Sequence, residues 1–279
     1  TISHMFANEM MNKYPQIRVN NIYSKIGELR LKKSPQEVEK IKKAIEITKS
    51  GIEKLMTECR SGMKEYELEA YFDFNCKIKG ATDLAFTTIA AAGKNATTLH
   101  YVENNSKLKD GDLILFDLGA EYNCYNADIT RTFPISGKFT ERQKEVYNSV
   151  LKVNEEIISL IKPGMKYKDI NEKATDLIAE ECIKLGLIKD KSEVRKYYYH
   201  SIGHSLGMDT HDIETPHRDI IFEPGVVFTV EPGIYIQEEG IGIRIEDDIL
   251  VTNEGVINLS SDIIKSVDDI ENFMNKFTK

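Results

Sequence analysis

Four carboxylates stand inside apolar sequence: Asp117 in Leu115-Phe116-Asp117-Leu118, Asp128 in Ala127-Asp128-Ile129, Glu231 in Val230-Glu231-Pro232 and Glu246 in Ile245-Glu246-Asp247. A carboxylate in a sheet core costs several kcal/mol unless its charge is compensated. Scattered lysines do not do that for four acids at once; two divalent cations would. Taken singly, each acid is equally well a strand-end cap at the surface, and it is their recurrence at equivalent positions that argues for metal. Of the six histidines, three crowd into the segment from His200 through His204 to His211. Gly203 and Gly207 within it let the backbone approach a site. His204 adds one neutral nitrogen to an oxygen-rich cluster, a donor mixture that suits Mn, Co, Fe or Zn better than Mg or Ca. His200 and His211 are then outer groups that bind substrate or shuttle protons, the alternative being plain packing. A two-metal site generates a bridging hydroxide at neutral pH and clamps the oxygens of the reacting group, which points to hydrolysis with a glutamate ligand doubling as proton shuttle.

The elements that must hold these residues can be read from punctuation and period. Ser34-Pro35-Gln36-Glu37 is a capping box with proline at the first helical position, and Val38, Ile41, Ile45, Ile52 and Leu55 continue at helical spacing to about Arg60. Gly62-Met63-Lys64 follows that helix, and Gly164-Met165-Lys166 follows a second, from about Thr140 to Ile161. Each leads into a further helix, about Tyr66–Ile78 and Tyr167–Leu185, closed by Gly80 and Gly186. Asp110-Gly111 and Pro224-Gly225 each open an apolar strand that delivers a carboxylate six residues after the glycine. The strands pair as hairpins, Leu113–Leu118 with Cys124–Phe133 and Val226–Tyr235 with Ile241–Val251, which puts Asp117 and Asp128 on the two strands of one and Glu231 and Glu246 on those of the other. This internal repeat predicts an α+β fold of two pseudo-symmetric halves sharing one core, an antiparallel sheet covered by four helices. Residues 1–33 form a leader whose apolar content predicts that it packs; residues 34–279 form the catalytic unit.

Composition narrows the class. The 279 residues carry a net charge of −8 with no long Lys/Arg run, which argues against nucleic acid as a partner. No stretch approaches the roughly 18 apolar residues of a membrane helix, and 1–11 has no signal-peptide apolar core, so a cytoplasmic enzyme without membrane attachment is expected. The four cysteines are widely spaced, as reduced packing thiols are. Ala92-Gly93-Lys94-Asn95 lacks the rest of a phosphate-binding loop, and neither a GxSxG elbow nor a strand-linked GxGxxG occurs. Tyr197–Tyr199 reads as a packing run rather than an aromatic cage.

Together with Leu99-His100-Tyr101, Asp117-Leu118-Gly119, Asp128-Ile129-Thr130-Arg131-Thr132-Phe133-Pro134, His211-Asp212, Glu231-Pro232-Gly233-Ile234-Tyr235 and Gly242-Ile243-Arg244-Ile245-Glu246-Asp247-Asp248, the His200–Gly207 segment resembles the pita-bread metallopeptidases, in the proline-directed branch of aminopeptidase P and prolidase. The resemblance runs from about Ser34 to the C-terminus. It implies a pita-bread fold in which Asp117, Asp128, His204, Glu231 and Glu246 bind two metal ions, commonly manganese. It implies that Glu231 is also the general base or acid, that His211 steadies the tetrahedral intermediate, and that His100 and His200 hold the substrate. Arg244 would orient Glu246 or the substrate, or be a charge partner for Asp247 or Asp248. The activity implied is removal of an N-terminal residue from peptides with proline second; the rivals are an Xaa-Pro dipeptidase and a non-catalytic interaction module. Members of this branch carry an N-terminal domain, so residues 1–27 look like its tail, and a homodimer is compatible with the resemblance.

Overall fold

The computed structural model describes residues 1–212 and 220–277. Two helices lead in, α1 (Ile2–Lys13) and α2 (Tyr23–Leu31), followed by α3 (Pro35–Glu58) and α4 (Glu65–Ile78). Ser34 caps α3 as its sequence requires: its hydroxyl accepts from the Glu37 amide while Glu37 accepts from the Ser34 amide. After β1 (Asp83–Leu84), β2 (Ile89–Ala92) and a 3-10 turn at Gly93–Thr97 come β3 (Leu113–Leu118), β4 (Ala120–Tyr122), β5 (Tyr125–Asn126) and β6 (Ile129–Pro134). The second half has α5 (Glu141–Leu160), α6 (Tyr167–Lys184), β7 (Val227–Val230), β8 (Gly233–Ile236), β9 (Ile241–Arg244), β10 (Asp247–Val251) and β11 (Val256–Asn258), then α7 (Val267–Asn275).

The two halves repeat down to single hydrogen bonds. Gly62 N donates to Leu108 O at 2.9 Å and Gly164 N to Phe222 O at 2.8 Å; Leu108 N donates to Met63 O and Phe222 N to Met165 O at 2.8 and 2.9 Å. In each half a long hairpin is interrupted on both arms. β3 pairs with β6 and β4 with β5; β7 pairs with β10 and β8 with β9, all antiparallel. Leu118 faces Ile129 at the end of one ladder and Val230 faces Asp247 at the end of the other. One continuous apolar core runs through both halves, from Ile41 and Leu55 of α3 through Phe116 and Phe133 to Val150, Ile157 and Ile249. The fold is the α+β arrangement of two pseudo-symmetric halves on one core that the repeat predicts, as the pita-bread resemblance also implies.

Two expectations change. Only Asp117 lies within a strand; Asp128, Glu231 and Glu246 occupy the two-residue breaks Ala127-Asp128, Glu231-Pro232 and Ile245-Glu246. A strand break frees a carboxylate from the alternation that would send it to one face of the sheet. The leader does not pack along its length either: α1 buries no residue, α2 buries only Gly27, and Ile2 and Phe6 are 87% and 62% exposed. Leu31 apart, their apolar content finds little cover among the described residues, and what ties the leader in is polar and lies at its C-terminal end: Lys32 bridges Val226, Lys33 N donates to Gly225 O at 2.7 Å, and the Arg30 and Lys33 side chains pair with Asp212.

Candidate metal centre

The strand breaks of both halves open onto one cavity of about 950 Å³, lined by Asp117, Asp128, His204, Glu231 and Glu246 together with His100, His200, His211 and Arg244. Every metal, substrate or proton-transfer residue named in the sequence is brought to this wall. Gly119 makes the first break possible: a Cβ there would stand 1.8 Å from the Ala127 carbonyl oxygen. The halves are stitched across the cavity floor by Glu246 N donating to Thr130 O at 3.1 Å, Asp128 N to Asp248 Oδ2 at 3.2 Å and Thr132 Oγ1 to Arg244 O at 3.1 Å.

The ligating atoms of Asp128, His204 and Glu246 all lie within 4.8 Å of one another. His204 Nε2 is 3.3 Å from Asp128 Oδ2 and 3.8 Å from Glu231 Oε1. Its Nδ1 is 3.1 Å from the Ser205 carbonyl, which can only accept, so Nδ1 carries the proton and Nε2 presents its lone pair to the cavity. Asp117 is reached from the other side, by Arg244 Nη2 donating to its Oδ2 at 2.6 Å. Its Oδ1 is buried without a hydrogen-bond partner.

Electrostatically the site is short of positive charge. Burial, then Asp117, Asp248 and Glu231, raises the Asp128 carboxyl well above the carboxylate range; burial, then Asp128, Glu231 and Asp117, does the same to Glu246. Burial lifts Glu231 to about 7 against the opposing fields of His204 and Arg244. Four acids thus face a single guanidinium. The donor set of carboxylate oxygens with one imidazole nitrogen, and the orphaned Asp117 Oδ1, fit divalent cations, whose charge would return Asp128, Glu231 and Glu246 to the ionised form.

Arg244 pairs with Asp117, not with Asp247 or Asp248. It reaches Glu246 through Thr130: its Nε donates to Thr130 Oγ1 at 2.9 Å, and that hydroxyl donates to Glu246 Oε2 at 2.6 Å. Its Nη1 donates to the Tyr235 hydroxyl at 3.1 Å, and that hydroxyl sits 2.8 Å from His200 Nε2. His200 Nδ1 lies 2.7 Å from Ser201 O, so it holds the ring proton, and Nε2 accepts from Tyr235. Burial, then the Arg244 charge, lowers His200 to about 3, which keeps the ring neutral. His211 stacks edge-on against His204 at 4.2 Å, its pKa lowered by partial burial and by His204 and His100. His100 is exposed on the cavity wall.

Three contributors escaped the sequence reading. Tyr235 and Thr130 lie inside quoted motifs but carry no charge to mark them. Glu65 is fully buried and accepts from Ala92 N, Asn95 Nδ2, Tyr101 Oη and Ser106 N at 2.7–3.0 Å, which fixes the 92–106 loop bearing His100. Its position at the start of α4 looks like ordinary N-terminal helix acid, so nothing local signals the role.

The sequence profile of metallopeptidase family M24 matches residues 39–253. The rat Xaa-Pro aminopeptidase 3 is 39% identical over 273 residues, 93% of this chain and 54% of that protein. A solved Bacillus anthracis protein assigned as an aminopeptidase P is 50% identical with a TM-score of 0.96, over 99% of this chain and 66% of that one. Escherichia coli aminopeptidase P, solved with the inhibitor Pro-Leu, is 39% identical with a TM-score of 0.88, over 92% of this chain and 62% of that one. The chain spans about half the length of the rat relative it matches. With 39–253 matched by the profile and the five candidate ligands and the histidines within or beside one cavity of a pita-bread fold, this chain belongs to metallopeptidase family M24.

Proposed function

We propose that this chain is the catalytic part of a metal-dependent Xaa-Pro aminopeptidase, a hydrolase that releases the N-terminal residue from peptides with proline second. The observation that carries the reading is the convergence of Asp117, Asp128, His204, Glu231 and Glu246 on one cavity already fitted with neutral histidines and Arg244. In this reading residues 34–279 are the catalytic unit and 1–33 a leader. The five residues hold two divalent cations, manganese first among Mn, Co, Zn and Fe. When bound, such ions polarise the scissile carbonyl and acidify water.

The chain's own residues supply the rest. Glu231, its carboxylate held ionised by bound cations and 3.8 Å from His204 Nε2, is placed to take a proton from the attacking water and pass it to the leaving nitrogen. Neutral His200 is held by Tyr235 and Ser201 at the cavity edge, where its ring orients the peptide. His100 lines the same cavity and helps to hold the substrate, and His211 is placed to bond the substrate's oxygen as charge develops on it. Arg244 fixes the Asp117 carboxylate directly and that of Glu246 through Thr130, so both acids keep one orientation. The aminopeptidase names of the relatives favour this over a dipeptidase. A homodimer and a cytoplasmic site of action go with the same reading; no described helix is long and apolar enough to cross a membrane. The test compares turnover of an Xaa-Pro dipeptide with that of Xaa-Pro-Xaa tripeptides across Mn²⁺, Co²⁺, Zn²⁺ and Fe²⁺. Tripeptide cleavage, best with Mn²⁺, is expected, and cleavage of the dipeptide alone would overturn the aminopeptidase reading.

A further inference from the structure

Asp212 follows His211 directly, and its carboxylate is gripped by two cations from the far end of the chain. Arg30 Nη2 lies 2.5 Å from Asp212 Oδ1 and 2.7 Å from Asp209 Oδ2; Lys33 Nζ lies 3.0 Å from Asp212 Oδ2. The Lys33 and Asp212 side chains are 1% and 2% exposed, so little water screens the pair. The carboxylate fills a gap left by Gly207, where a Cβ would stand 2.3 Å from Asp212 Oδ2 and 2.9 Å from Lys33 Cε. Lys33 is itself fixed, its amide donating to Gly225 O at the root of β7, the strand that precedes Glu231.

The two histidines on this loop have separate anchors. His204 is pinned to β7: its amide donates to Thr229 Oγ1 at 3.0 Å and its carbonyl accepts from Thr229 N at 2.9 Å. His211 has no strand beneath it among the described residues. Its neighbours tie it down, Thr210 Oγ1 to Ala85 O at 3.1 Å and Asp212 N to Ser205 O at 3.0 Å, with the Asp212 carboxylate as the charged fixture. We propose that Arg30 and Lys33 are positioning residues for His211: through Asp212 they set where the His211 ring stands in the cavity, and leave the His204 metal position untouched. The kinetic consequence rests on the aminopeptidase reading. The mechanical one, a loop held by a clamp from the leader, does not.

The experiment uses the Mn²⁺-loaded chain, Ala-Pro-Ala as substrate, and amide hydrogen exchange over 205–212 as a second readout. Lys33→Met should lower kcat by roughly 10- to 100-fold, the scale of a ring displaced by about an ångström, with KM moving less than about twofold. Mn²⁺ affinity should stay within about threefold, because His204 has its own anchor. In a His211→Ala background Lys33→Met should add less than about twofold, and Arg30→Lys, which keeps the charge, should retain more activity than Arg30→Met. Exchange over 205–212 should rise in Lys33→Met. Should Lys33→Met fail to fold, Asp212→Asn replaces it with the same pattern expected. An additive loss in the His211→Ala background, or a loss that follows Mn²⁺ affinity, overturns the proposal. If the parent chain cleaves no Xaa-Pro peptide, the aminopeptidase reading fails and exchange alone decides the clamp: unchanged exchange over 205–212 in the variant sinks it.

Discussion

Arg131 and Asp247 are both fully buried, and removing the arginine is a demanding test of how the second half carries Glu246. Nη2 donates to Asp247 Oδ1 at 2.7 Å; Nη1 donates to the carbonyls of Glu246 and Thr130 at 2.6 and 2.9 Å. Lys265 Nζ reaches the other Asp247 oxygen at 2.7 Å. Burial alone would raise the Asp247 carboxyl, yet Arg131 and Lys265 overcome it and bring it down from 3.8 to about 2. At about 1.4 kcal/mol per unit this is roughly 2–3 kcal/mol of stability. The folded pKa is depressed, so the contribution is complete above about pH 4 and is lost as pH falls towards 2. Arg131→Met removes one of the two cations and also takes the guanidinium donor from the Glu246 carbonyl. Breaking a buried pair in this way costs about 3–5 kcal/mol, a large share of the roughly 5–15 kcal/mol that holds a typical fold, and lowers Tm by about 10 °C. Urea unfolding of the EDTA-treated protein, wild type against Arg131→Met, should show the full penalty at pH 7. At pH 3 the penalty should shrink, because Asp247 in the variant, no longer held down by Arg131, can take a proton there while the wild-type group at about 2 stays ionised. A penalty below about 1 kcal/mol at pH 7, or one of equal size at pH 3, refutes the reasoning.

Glu231→Gln should abolish peptide turnover while the protein still unfolds cooperatively; full activity in that variant removes Glu231 from the proton-transfer role. Without metal, the raised Glu231 pKa makes the native state hold its proton longer than the unfolded chain, so stability falls as pH rises from about 4.5 through about 7, by about 3 kcal/mol from this group. Urea unfolding with EDTA at pH 5 and pH 8 checks that slope, which Glu231→Gln should reduce, Asp128 and Glu246 carrying the rest, and which Mn²⁺ should abolish. His100→Ala should raise KM or lower kcat without emptying the metal site, read by Mn²⁺ titration calorimetry alongside kinetics; loss of Mn²⁺ binding would contradict its place on the exposed wall.

What the sequence made legible was whatever repeats or carries charge. The paired Gly-Met-Lys segments and the capping box at Ser34 located α3 to α6 within a residue or two, since caps and apolar period are local signals. The acids and histidines were visible because charge in apolar sequence needs a reason. The interruptions that place Asp128, Glu231 and Glu246 were not, because a break of two residues inside an apolar run leaves the composition unchanged. Tyr235, Thr130 and Glu65 matter through bonds to residues 9 to 116 positions away, a relation that no window of sequence displays. The leader misled for a similar reason: apolar residues announce a need for cover, and α1 finds none among the described residues.

The account stands most directly on whether metal at the five-residue site carries peptide hydrolysis. EDTA-treated protein is titrated with Mn²⁺ while release of the N-terminal residue from an Xaa-Pro-Xaa tripeptide is followed. Activity should be absent without metal, rise to a plateau by about two equivalents of Mn²⁺ per chain as expected of a two-metal site, and stay at baseline in Asp128→Asn. Hydrolysis in the presence of EDTA, or an Asp128→Asn titration that overlays the wild type, would contradict it.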